Sequence, residues 1–291
     1  MPELRQKLTN VLAHWKNCKD MRALLARYPS RNLSRLYWYD LKVADAASVV
    51  GFFRVAWAYL TGRAQDATAA YYGAGTMYWA KPHSDGYVAP APTVWTCQGL
   101  DTKPYFDADP WCQRLEAAPS GVRDDYLGVQ DRRKPNPASA QDVDSGQWDN
   151  IFLTTTKGEV NPEFRDDCHF TLNLLHGFPL CTNFGFAVSS ISAPGTHIKA
   201  HTGGSNLRLR YHLGIDVPEP DQNRMRVAHE VRNWQQGKVF AFDDGYDHEV
   251  WNTGTKHRAL LIVDLWHPSL SEADITCLSD PLFNRFGKVS A

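Results

Sequence analysis

Between positions 2 and 27 the apolar residues Leu4, Leu8, Val11, Leu12 and Trp15 recur at steps of three and four. That spacing puts them on one face of a helix. A second helix is predicted over 46–59, where Ala, Val, Phe and Trp are dense. Arg54 interrupts this stretch and it falls short of the roughly 20 apolar residues that cross a bilayer, so it reads as a buried helix. From 73 to about 149 the pattern changes. Prolines at 82, 90, 92, 104, 110, 119, 135 and 137, with many aromatic residues, predict irregular chain packed on a core. From 148 onward short apolar runs rich in β-branched and aromatic residues alternate with turn signals, which predicts an all-β core. The clearest runs are 184–192, 207–215, 225–231, 238–242 and 257–266, with turns at Asp243-Asp244-Gly245 and Asn252-Thr253-Gly254. The expected architecture is mainly β with a helical N-terminal part: one domain over 1–291, helical and irregular over 1–147, with a β barrel or sandwich over 148–291.

The charge adds little to this picture. With 31 basic and 32 acidic residues the chain carries a net charge of -1, leaving no global field to draw it to nucleic acid or to an anionic membrane. Glu3, Arg5, Lys7, Lys16 and Lys19 break up the first apolar positions, so no signal peptide can be drawn there and a cytoplasmic location is expected. Cys18, Cys97, Cys112, Cys168, Cys181 and Cys277 form no Cys-X-X-Cys pair, which excludes a zinc ribbon or a thioredoxin-type motif. Reduced thiols are expected; Cys168 and Cys181 are the pair that an oxidising compartment would bridge.

Candidate chemistry gathers in the β half. By the period of two, Arg208, Arg210 and His212 share one strand face, with Leu207, Leu209, Tyr211 and Leu213 on the other. Such a face is either solvated or lines a pocket for an anion. The run His257-Arg258-Ala259-Leu260-Leu261-Ile262-Val263-Asp264-Leu265-Trp266 is apolar enough to be buried on both faces, yet Arg258 stands near its start. A buried guanidinium needs an anionic partner. Asp264, a neighbouring carboxylate or a bound carboxylate ligand would each serve. His201 and His248, both in turn-rich segments, are candidate iron ligands, since rigid β scaffolds display functional groups on such segments.

The ordered runs His201-Thr202-Gly203-Gly204-Ser205-Asn206-Leu207-Arg208-Leu209-Arg210-Tyr211-His212-Leu213-Gly214, Trp234-Gln235-Gln236-Gly237-Lys238-Val239-Phe240-Ala241-Phe242-Asp243-Asp244, His248-Glu249-Val250-Trp251 and Val263-Asp264-Leu265-Trp266-His267-Pro268 carry a resemblance. Over about 184–270 the chain resembles the aspartyl/asparaginyl β-hydroxylases. The resemblance implies a double-stranded β-helix, the cupin-like jelly roll, using Fe(II), with 2-oxoglutarate and O2 as cosubstrates. It implies that His201 and His248 hold the iron and that Arg258 clamps the distal carboxylate of 2-oxoglutarate. Ser190, Arg210 and His212 would contact the same cosubstrate, and Arg208 would bind a substrate carboxylate. Gly203 stands where most oxygenases of this chemistry have an acid, leaving an open coordination position, as in the β-hydroxylases themselves.

The expected reaction is oxidation of a C–H bond, by hydroxylation or by cyclisation or desaturation of a substrate held differently. In the hydroxylases acting on epidermal-growth-factor-like domains, an additional arginine stands in the region corresponding to about 154–161. Here that region has Lys157 and Glu159 and no arginine, so a free amino acid or small carboxylate metabolite is expected rather than a peptide, with no nucleic-acid or membrane partner. The competing readings are β-hydroxylation of Asp or Asn in a peptide or protein, and halogenation at the open position beside Gly203. Outside the enzyme class stand a carboxylate-binding protein of the same fold and a structural β domain in which His201 and His248 never meet.

Overall fold

The computed structural model describes residues 100–279 except 156–157 and 183; the helices predicted over 2–27 and 46–59 lie outside the described residues. The described chain divides into two compact units, one covering 102–267 and the other including 100–101 and 268–279. In the larger unit the strands are β1 (Tyr105–Phe106), β2 (Lys134–Pro135), β3 (Val143–Ser145), β4 (Trp148–Phe152), β5 (Ala187–Ser192), β6 (Thr196–His201), β7 (Arg208–Asp216), β8 (Asn223–Val227), β9 (Glu230–Asn233), β10 (Val239–Phe242), β11 (His248–Asn252) and β12 (Arg258–Trp266). The helices are α1 (Pro110–Glu116), α2 (Pro119–Val129), α3 (Ser139–Asp142) and α4 (His169–Leu175). In the second unit, α5 spans Glu272–Leu278. No described helix is long and apolar enough to cross a membrane.

The strands form a seven-stranded sheet in the order β1-β10-β7-β12-β5-β4-β2 and a five-stranded sheet in the order β3-β6-β11-β8-β9. Neighbouring strands pair antiparallel throughout, giving the expected jelly roll. The central strand β12 explains the layering. All nine of its residues are buried, because both of its faces are covered. Ala259, Leu261, Val263 and Leu265 pack in one cluster with Cys112, Leu115, Val122, Tyr126 and Leu175 of the helices. Leu260 and Ile262 pack between the sheets with Ile198, Met225, Val227 and Val250. Each such side chain contributes roughly 1.5–3 kcal/mol.

Three expectations need correction. The stretch read as irregular contains α1, α2 and α3. Pro110 and Pro119 stand at the first positions of helices, where the missing N–H is not needed and the fixed φ suits the helix. Asp109 completes the start of α1, its Oδ1 accepting from the Cys112 N–H at 2.9 Å. The run 225–231 is not one strand but the hairpin β8–β9, in which Val227 pairs with Glu230 across the two-residue turn Ala228-His229. Ala228 takes φ 51° there, the left-handed conformation that this tight turn demands. His201 and His248 lie on β6 and β11 themselves, not in the flanking turns. Cys112, Cys168 and Cys181 are free thiols, so Cys168 and Cys181 are not bridged.

Leu261, fully buried at the centre of β12, tests the layering. Leu261→Ala is expected to cost about 3 kcal/mol in urea denaturation. A loss under about 1 kcal/mol would mean that the face against the helices is loosely packed.

Candidate functional site

Antiparallel pairing of β6 with β11 sets His201 directly opposite His248, with the ring centroids 4.2 Å apart. The ladder shifts register between His248 and Val250, and such a bulge re-aims the side chains at the sheet's end. Each Nδ1 faces the carbonyl oxygen two residues earlier: His201 to Lys199 at 2.7 Å, His248 to Tyr246 at 2.9 Å. A carbonyl oxygen only accepts, so each Nδ1 carries a hydrogen, and in the neutral ring Nε2 then holds the lone pair. Burial first, then His201, holds the His248 pKa well below the usual histidine value. A neutral imidazole whose Nδ1–H is held in this way offers Nε2 to a metal, the backbone carbonyls acting as orienting groups. Among the described residues no group of three His, Cys, Asp or Glu is placed to hold a metal, so the fit is to two protein ligands.

Gly203 could not carry the missing acid. A Cβ built there would run into the carboxylate of Asp244. Asp244 is itself fully buried and ion-paired, to Arg208 Nη2 at 2.6 Å and Arg210 Nη1 at 3.3 Å. Asp264 takes Arg210 in a two-toothed grip, accepting from Nε at 2.7 Å and Nη2 at 2.9 Å. Arg208 Nε lies 3.6 Å from Asp264, beyond hydrogen-bond distance. Two cations and two anions thus close on one another. Burial raises the pKa of Asp244, but Arg208 and Arg210 outweigh it and hold the carboxyl below its ordinary value. The neighbouring Asp243 has no such partner, and burial together with Asp244 pushes it up to about 8.

Arg258 is the exception. It is 2 % exposed, no carboxylate among the described residues pairs with it, and its Nε has no hydrogen-bond partner. Burial alone pulls its pKa down to about 9, leaving a protonated guanidinium without a counter-charge at neutral pH. The ring of Trp234 lies 4.5 Å from the guanidinium carbon. Asp264, which the sequence offered as a partner, is committed to Arg210 instead.

His212 stands on β7, opposite Ile262 of β12, and accepts at Nδ1 from Trp234 Nε1–H at 3.3 Å, while its Nε2 has no partner. Ser190 on β5 is opposite Leu260 of β12, and its hydroxyl accepts from Trp148 Nε1–H at 2.9 Å. Ser192 Oγ and Asn150 Oδ1, on the same side of β12, are likewise buried without partners. Orphaned buried polar atoms are rare enough that a group of them beside an unpaired cation marks a place for a polar ligand.

The two candidate ligands, His201 and His248, therefore meet. Arg208, Arg210, His212, Ser190 and Arg258 lie on the adjacent strands β7, β12 and β5, with Arg208 and Arg210 neutralised by acids. Sequence reasoning gave no role to Trp234, Trp148 or Asp244. The residues Asp243-Asp244-Gly245 read as a turn, and their charge was the overlooked signal.

Residues 116–268 match the family model described as aspartyl/asparaginyl β-hydroxylase. The human aspartyl/asparaginyl β-hydroxylase is 38% identical over 154 residues, covering 52% of this chain and 20% of the human protein. The ornithine lipid ester-linked acyl 2-hydroxylase of Rhizobium tropici is 35% identical over 187 residues, covering 60% of this chain and 64% of that protein. The chain thus spans about a fifth of the human relative's length and under two thirds of the bacterial one's. Among solved structures, a prolyl-4-hydroxylase of Pseudomonas putida aligns with a TM-score of 0.36 at 15% identity, over 57% of this chain and 94% of that one.

The charge arrangement predicts opposite stability effects. Asp264→Ala takes away the two-toothed partner of Arg210, leaving Arg208 and Arg210 to share Asp244, and is expected to destabilise the protein by roughly 3–5 kcal/mol, whereas Arg258→Met removes an unpaired buried charge and should leave stability unchanged or raise it by about 1–2 kcal/mol. Urea denaturation of metal-free protein measures both. A large loss in Arg258→Met would show that the guanidinium has a protein partner.

Proposed function

Because the chain belongs to the aspartyl/asparaginyl β-hydroxylase family, we propose that it is an Fe(II)- and 2-oxoglutarate-dependent oxygenase that hydroxylates a C–H bond of an amino acid or small carboxylate metabolite. The observation that carries the reading is the buried guanidinium of Arg258, with which no carboxylate among the described residues pairs, together with the facing pair His201 and His248 on the other sheet. Iron would be held by His201 and His248. The chemistry Fe(II) supplies when bound is the coupling of oxidative decarboxylation of 2-oxoglutarate, to succinate and CO2, with insertion of the other oxygen atom of O2 into a substrate C–H bond.

The protein's part is binding and orientation. Arg258 offers a planar fork suited to the distal carboxylate of 2-oxoglutarate, and its burial removes the competition of water. The His212 Nε2–H and the Ser190 hydroxyl stand on the neighbouring strands to either side, so that one carboxylate meets donors from β5, β7 and β12. Because Arg208 and Arg210 already have Asp244 and Asp264, the pocket's net positive charge rests on Arg258. That directs the anion to one place. Arg210 would meet the cosubstrate from the balanced cluster, and Arg208, whose Nε makes no hydrogen bond, keeps a donor for a substrate carboxylate. Holding the reacting groups in register away from water is where such a site gains most of its rate.

The carboxylate of Asp244 fills the space beside Gly203, which favours hydroxylation over halogenation, since a halide there would meet a like charge. A cytoplasmic location belongs to the same proposal.

Three outcomes test it. Anaerobic addition of Fe(II) and 2-oxoglutarate to metal-free protein should produce a weak visible charge-transfer band that is absent in His248→Ala; no band in either protein would sink the reading. Arg258→Ala should raise the 2-oxoglutarate requirement on the order of 100-fold while the protein stays folded. Gly203→Asp should show no gain in succinate release, because its side chain meets Asp244, and a more active variant would show that the open position can accept an acid.

A further inference from the structure

We infer that Trp234 is the positioning residue of the anion pocket: its indole N–H holds His212 as the Nε2–H tautomer, and its ring face seats the guanidinium of Arg258. The inference rests on the reading of Arg258 and His212 as cosubstrate donors. Trp234 lies between β9 and β10, 1 % exposed, with Phe240 stacked on it at 5.9 Å between ring centroids. Its own backbone N–H donates to the Asn223 carbonyl at 3.3 Å, which ties the segment to β8. The side chain is therefore held by packing before any ligand arrives.

The tautomer follows from hydrogen-bond chemistry. Indole N–H is a donor and nothing else, so the atom it meets at 3.3 Å, His212 Nδ1, has to present a lone pair. A neutral imidazole with bare Nδ1 carries its hydrogen on Nε2, and a protonated ring would set hydrogen against hydrogen. His212 Nε2 has no protein partner, so its hydrogen is available to an incoming oxygen. In the other tautomer the same position would show a carboxylate a lone pair, and attraction would become repulsion. On its other side, the same indole supports Arg258 through its ring face at 4.5 Å, an interaction that favours the cation without occupying any of its N–H groups. One side chain thus presets two donors and consumes neither.

The test separates this inference from the function it rests on. In the metal-free protein, long-range 15N–1H spectra of the imidazole rings, with His212 assigned by its absence in His212→Gln, should show hydrogen on Nε2 and a bare Nδ1. Trp234→Phe keeps a ring face under Arg258 but has no N–H; in it the His212 nitrogens should move toward a mixture of tautomers. The dissociation constant of 2-oxoglutarate, titrated without oxygen with Mn(II) in place of Fe(II), should rise about tenfold. Trp234→Leu, which loses the ring face as well, should weaken binding further. Hydrogen on Nδ1 in the wild-type protein would overturn the inference, and this measurement needs no variant of Trp234 to fold. Unchanged 2-oxoglutarate affinity in Trp234→Phe, where Arg258→Ala binds weakly, would overturn it as well. Unchanged affinity in Arg258→Ala beside a shifted tautomer would instead overturn the pocket assignment and uphold the tautomer.

Discussion

Electroneutrality of the space between the two sheets is the constraint on which the rest of the molecule depends. Arg208, Arg258, Asp244 and Asp264 are buried and Arg210 is largely so, on β7, β12 and the turn after β10. An uncompensated ion there costs several kcal/mol, so the charges cannot be placed independently. Arg208, Arg210, Asp244 and Asp264 solve the problem among themselves. Arg258, six residues from Asp264 on the same strand face, is left outside that solution. A stable interior and a demand for an anion come from the same few residues, separated only by which acids face which bases.

The two halves of the site belong to different sheets. His201 and His248 end paired strands of the five-stranded sheet, whereas Ser190, His212 and Arg258 stand on three adjacent strands of the seven-stranded one. A ligand that reaches both has to cross the interior. 2-Oxoglutarate has that form, with a metal-chelating keto acid at one end and a carboxylate at the other. The tryptophans Trp148 and Trp234 have a matching task, since each spends its single N–H on a polar side chain of the wall, Ser190 and His212, and supplies an apolar surface otherwise.

Much of this could be read from the chain, and the failures have physical causes. Strands β5, β7, β10 and β12 stood out because their apolar residues face covered layers. Strands β6 and β11 did not, since His197, Lys199 and Glu249 interrupt any apolar run on their outer side. Pro110 and Pro119 looked like breakers because a helix's first position and a loop use proline for the same reason, its fixed φ. The turn at Ala228-His229 has no glycine, asparagine or proline, so nothing local announced the hairpin. The arginines were found as a set, but their partners were not assignable. Which acid faces which base is decided by the pairing of strands distant in sequence, information that periodicity does not contain.

Alternation of buried faces protects a sheet against a slip of one residue, but a slip of two restores the alternation and goes unpunished by hydrophobicity. On β12 and β7, Asp264 lies directly opposite Arg210. Sliding these strands by two positions either way would set Arg210 against Ile262 or Trp266, leaving it without Asp264 in a dry interior. The Arg210–Asp264 pair therefore favours the observed register of the two longest strands of the sheet over a slip of two, and with it the relative positions of Arg258 and His212.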